Sequence, residues 1–109
     1  MSSKPNTSTS VTRALRIIKA LKGYTNFGLS NKEISEATGE SAVNVSRMLN
    51  VLVEEGFVDR VYDNGGGGHS KYAHSIQLLQ IAQACINEDE RLSARLEEKR
   101  RRIRAGSHN

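Results

Sequence analysis

The chain has 109 residues, a formal net charge of +4, 37% hydrophobic and 5% aromatic residues, and one cysteine. That length accommodates a single small domain rather than a two-lobed enzyme with a cleft, and so limited a core leaves room for help from a partner chain. No apolar run is long enough to span a bilayer, residues 1–10 lack the apolar stretch of a secretory signal, and Cys85 alone excludes an intramolecular disulfide and a multi-cysteine zinc site.

The expected setting is therefore a reducing cytoplasm. The charge is unevenly spread: residues 1–29 carry a net +5, 30–69 a net −4, 70–87 a net +1 and 88–109 a net +2. Basic flanks enclose an acidic middle, so any attraction to a polyanion resides in the flanks.

Residues 1–10, Ser/Thr-rich with the only Pro, are expected to form a disordered arm. Residues 11–23 place Val11, Leu15, Ile18 and Leu21 at helical spacing, with Gly23 as a stop. Ser30 followed by Glu33 fits a capping box and opens a short helix that Gly39 breaks. Ser41 opens a third helix, closed by Gly56. Residues 57–62 are expected to form a strand, the run from Asp63 to Gly68 a hairpin tip, and His69 to His74 the returning strand. From Ser75 to about Arg104 the pattern is helical again, which is long for a compact domain and points to an extension or a coiled coil. The final residues, 105–109, are expected to be disordered.

Two short helices joined by a glycine turn make a helix-turn-helix unit, and a hairpin after the second makes it winged. In the third helix, Met48, Leu49 and Leu52 fall within about 60° of Val45, forming an inward stripe. The opposite face carries Val43, Arg47, Asn50 and Glu54, flanked by Asn44 and Ser46. Arg, Asn and Ser read base edges, and a recognition helix uses its N-terminal residues to do so. Val43, Asn44, Ser46, Arg47 and Asn50 are therefore candidate base contacts.

Residues 11–82 resemble the N-terminal DNA-binding domain of the IclR-type transcriptional regulators. SVTRALRIIKAL is similar to that family's first helix, GLSNKEISEATGES to its second helix and turn, and AVNVSRMLNVLVEEGFVDR to its recognition helix running into the wing. The resemblance implies a dimeric DNA-binding protein with Val43–Arg47 in the major groove. Family members usually continue into an effector-binding domain; a chain of this length has no room for one, so a stand-alone regulator without a small-molecule effector is expected.

Candidate phosphate or wing contacts are Arg13, Arg16, Ser30, Ser41, Arg60, His69, Ser70 and Lys71. For Arg13 and Arg16 a solvated helix face is the competing reading, and for the four-glycine wing a simple surface turn. A P-loop is excluded, because the Lys-Ser/Thr ending is absent. His69, His74 and His108 lack ligand spacing, and no catalytic triad or carboxylate pair stands out; no metal, cofactor or enzymatic activity is expected.

In the last helix, Leu78, Ala82, Cys85, Asp89, Leu92, Leu96, Lys99 and Ile103 advance by alternating four- and three-residue steps, the spacing of a coiled-coil seam. Leu79 and Ile86 widen it, and Asp89 and Lys99 interrupt it. Homodimerisation is expected through Leu78, Leu79, Ala82, Cys85, Ile86, Leu92 and Leu96. The basic cluster from Lys99 to Arg104 is open to two readings, a DNA grip or a solvated helix end.

The expected fold is mainly α with a small β-hairpin: a disordered arm at 1–10, a winged helix-turn-helix at 11–74 and a dimerisation helix at 75–104. The expected function is sequence-specific binding of double-stranded DNA by a homodimeric transcriptional regulator, a repressor, on an inverted repeat, in a bacterium or phage-infected cell. A winged-helix protein-interaction module and an architectural or replication accessory protein are the alternatives.

Overall fold

The computed structural model describes residues 9–62 and 70–107. In chain order the elements are α1 (Thr9–Ala20), β1 (Leu29–Ser30), α2 (Asn31–Thr38), α3 (Ala42–Glu54), β2 (Val58–Tyr62), β3 (Ser70–His74) and α4 (Ile76–Gly106). Three helices and a three-stranded antiparallel sheet of order β1-β3-β2 form one compact unit ending at Leu78; the remainder of α4 is a second unit. The architecture is the winged helix expected from the sequence. Residues 1–8 of the expected arm, the glycine-rich tip, His69 and His108 lie outside the described residues.

The core consists of Ile17, Leu21, Leu29, Ile34, Val45, Leu49, Leu52 and Val58. Val45, Leu49 and Leu52 supply the inward stripe of α3, with Met48 packed against it. Truncating a fully buried aliphatic such as Leu49 to Ala typically costs about 2–5 kcal/mol, the transfer term plus the cavity it leaves.

The inward face of α1 differs from the spacing argument. Ile17 and Leu21 are buried with Ala14 and Ile18 beside them, whereas Val11 and Leu15 are 57% and 55% exposed. At 100° per residue Leu15 lies roughly 160° from Ile17, so α1 carries two apolar stripes and only one meets the core. Helix α1 also starts at Thr9, and α4 continues through Ala105 and Gly106.

Helix α2 opens with both halves of the capping box. Glu33 N–H donates to Ser30 Oγ at 3.1 Å and Ser30 N–H donates to Glu33 Oε1 at 2.8 Å. Ser41 caps α3 by accepting from Asn44 N–H at 3.2 Å. Between them Gly39 takes φ 78°, a left-handed conformation that ends α2 and lets the chain turn into α3.

Strand β1 was not anticipated. Its two residues pair with Tyr72 and Lys71 of β3, too short a stretch to leave a periodic signal. Gly28, just before it, has φ 71°, and a Cβ there would lie 2.7 Å from the Tyr72 carbonyl oxygen. Only glycine lets the chain approach β3 this closely. Strands β2 and β3 pair from Val58–His74 to Tyr62–Ser70.

Ser75 joins wing to last helix. Only 2% exposed, it donates N–H to Phe57 O at 3.0 Å and Oγ to Gly56 O at 2.6 Å, and accepts from Leu78 N–H at 2.9 Å. A buried hydroxyl so fully satisfied costs little and fixes the start of α4. Helix α4 itself, 31 residues, buries none of its side chains.

Candidate nucleic-acid interface

The outward face of α3 is the candidate reading surface. Burying Val45, Leu49 and Leu52 turns Val43, Ser46, Arg47 and Asn50 to solvent, with Val43 66% exposed. Asn44, at the flank, is half-buried. Among the described residues, the side chains of Arg47 and Asn50 make no hydrogen bond or ion pair. Their donors and acceptors are uncommitted on a helix whose inner face is buried in the core.

Ser46 is not so free. Its Oγ accepts from Asn31 Nδ2 at 2.7 Å, tying the first turn of α2 to the outer face of α3. Asn31 was missed from the sequence, since nothing local links positions fifteen residues apart. With one lone pair engaged, Ser46 keeps its hydroxyl proton and a second lone pair.

The basic residues of α1 are also committed. Arg13 Nε lies 3.0 Å and Arg16 Nη1 3.5 Å from the two carboxylate oxygens of Glu40, whose side chain is only 14% exposed. Glu40 directly precedes the cap of α3. Two guanidiniums and one carboxylate thus sit beside the N-terminus of α3, a location favourable to anions. Neither sequence reading of Arg13 and Arg16 included this acid. Their remaining N–H donors are not used by Glu40.

On the wing side, Lys71 Nζ is 4.0 Å from Glu33, and the Arg60 guanidinium stands 6.0 Å from the Tyr72 ring centroid. Ser70 is half-buried at the start of β3. Ser30 is engaged in its capping box. The backbone N–H of Ser30, above all, holds the Glu33 carboxyl below its usual pKa; partial burial opposes this, and the Ser30 hydroxyl and Lys71 charge assist it. His74 bonds through Nε2 to Ile18 O at 2.8 Å, a strut between β3 and α1. Among the described residues no group of three or more His, Cys, Asp or Glu is gathered as a metal site, and no helix is long and apolar enough to cross a membrane.

The expected dimer residues lie on α4, and Leu78 is half-buried. Leu79, Ala82, Cys85, Ile86, Leu92 and Leu96 are exposed, Leu92 by 53% and Leu96 by 41%.

Comparison with known proteins agrees with the fold. Residues 10–61 match the family profile of the IclR helix-turn-helix domain. The fold is similar to that of the transcriptional regulator SlyA, with a TM-score of 0.53 and 16% identity over 72% of this chain and 54% of that one. It is similar to an IclR family transcriptional regulator from Brucella abortus, at 0.60 and 24% over 80% of this chain and 31% of that one. It is also similar to S. aureus MepR in a DNA complex, at 0.56 and 15% over 91% of this chain and 75% of that one. At these identities the likeness establishes the fold alone. The chain spans 54% of the SlyA chain's length and 31% of the Brucella regulator's. No curated protein sequence matches it.

Proposed function

We propose, on the premise that residues 10–61 form an IclR-type helix-turn-helix domain, that this protein binds duplex DNA sequence-specifically. It acts as a homodimer on an inverted repeat and represses transcription by occupying an operator that overlaps a promoter. The observation that carries the reading is the face of α3, where Arg47 and Asn50 stand exposed and uncommitted above a buried Val45–Leu49–Leu52 stripe.

Each residue has a chemical task. Arg47 pairs with guanine O6 and N7, and Asn50 and Asn44 with adenine N6 and N7. Ser46, held by Asn31, donates to a base acceptor, and Val43 packs on a thymine methyl. Arg13, Arg16, Lys71 and Arg60 meet phosphates, with the polar groups of Ser30, Ser41 and Ser70 beside them. These contacts fix position without reading sequence. The exposed seam of α4, with Leu92 and Leu96 at its middle, brings two copies together, and two reading helices then address two half-sites.

Selection of bound fragments from genomic DNA tests this reading. Recovery of a few promoter-proximal inverted repeats supports it. Uniform coverage of the genome would indicate an architectural protein instead, and recovery of no DNA would indicate a protein-interaction module.

A further inference from the structure

The seam of α4 contains two charges, Asp89 and Lys99, among Leu78, Ala82, Cys85, Leu92, Leu96 and Ile103. Both are exposed, and among the described residues neither takes part in an ion pair. In an isolated helix such charges are simply solvated. Within a two-stranded seam each needs an opposite charge across from it, because a charge buried without a partner is strongly unfavourable. What lies opposite depends on how the two helices run.

We propose that α4 pairs with α4 of a second copy in antiparallel orientation, with the two-fold axis passing by Ala94. The proposal rests on the dimeric reading above and specifies its geometry. In this register the seam residues from 85 to 103 each face the one equally far beyond position 94. Leu92 meets Leu96 of the second copy, Asp89 meets Lys99, and Cys85 meets Ile103; symmetry repeats every pair. Both interrupting charges thereby neutralise each other, and on the flank Glu88 lies beside Arg100 and Arg102 of the second copy. A parallel dimer sets Asp89 on Asp89 and Lys99 on Lys99, like against like at two seam layers. The like charges that the antiparallel arrangement brings to one level, Arg95 with its own copy and Glu90 with Glu98, lie outside the seam, where water and salt screen them.

Cysteine cross-linking distinguishes the orientations. Antiparallel pairing puts the two Cys85 residues about 27 Å apart along the coil, whereas a disulfide requires Cα atoms within about 7 Å. Under mild oxidation the wild-type chain is expected to stay uncross-linked, and Ile103→Cys is expected to yield a covalent dimer joining Cys85 to the new thiol at position 103. A covalent wild-type dimer, or an Ile103→Cys variant that does not cross-link, overturns the proposal. Charge exchange provides a second readout by sedimentation. Asp89→Lys or Lys99→Asp alone should weaken dimerisation at least tenfold, and the two together should restore it. In a parallel coil every variant keeps like charges opposed, so the absence of rescue also overturns it. A wild-type chain that sediments as a monomer removes the dimeric reading itself, whereas a dimer cross-linked through Cys85 removes only the orientation.

Discussion

Replacing Glu40 by Gln should change folding and DNA binding in opposite directions. The carboxylate contacts Arg13 at 3.0 Å and Arg16 at 3.5 Å, and it is largely shielded although both arginines remain partly exposed. Exposed ion pairs measure about 0.2–1 kcal/mol each, so two pairs sharing one shielded acid are worth about 1 kcal/mol to the fold. For a domain of this size that corresponds to a loss of roughly 4–8 °C in melting temperature. Two guanidiniums next to the N-terminus of α3 would at the same time lose their built-in anion. Each additional phosphate neutralised steepens the dependence of log K on log salt by about 0.9, which is about a threefold larger loss of affinity between about 50 and 200 mM salt. Fluorescence anisotropy with a labelled random-sequence duplex, titrated at several salt concentrations, measures this directly. The variant should bind more tightly at low salt and show a steeper slope. An unchanged slope, or weaker binding at every salt concentration, would refute the idea that Arg13 and Arg16 face phosphate.

Arg47→Ala should leave the melting temperature nearly unchanged, since the side chain is exposed and among the described residues has no hydrogen-bond or ion-pair partner, yet cost about 1–3 kcal/mol at a specific site and relax specificity there; equal losses on specific and random duplexes would contradict base reading. Leu92→Asp should shift the protein toward monomer in sedimentation velocity, and an unchanged mass would sink the seam. Glu33 sets an acid dependence. Its folded pKa lies below the ordinary 4.5, so its stabilisation of α2 is present above that value and fades as pH falls through the lower folded value. The stability advantage of wild type over Glu33→Gln should therefore narrow in acid, and an advantage unchanged from neutral pH to about pH 3 would contradict it.

The parts legible from sequence are those governed by local chemistry. The Ser30–Glu33 capping box and the Ser41 cap depend on residues three apart, and both form. The buried stripe of α3 follows helical periodicity. Helix α1 resisted the same reasoning because periodicity places residues on faces without saying which face meets the core. Ile17 sits inside while Val11 and Leu15 stay out. The contacts that distinguish the interface span long stretches of chain: Glu40 with Arg13 and Arg16, Asn31 with Ser46, His74 with Ile18. An acid adjacent to α3 was the one hint available for Glu40, and charge counting by segment averaged it away. Strand β1 exists only because β3 is there to pair with it, and Gly28 is the trace its close approach leaves in the sequence.

The central claim is that the face around Arg47 reads DNA sequence. Its most direct test is the ratio of affinities for a selected genomic fragment and a random duplex of equal length, measured at one physiological salt concentration. The account predicts that the selected fragment binds at least about a thousandfold more tightly, with protection of two half-sites related by inversion. Equal affinity for the two duplexes, or no binding to either at low salt, would contradict it.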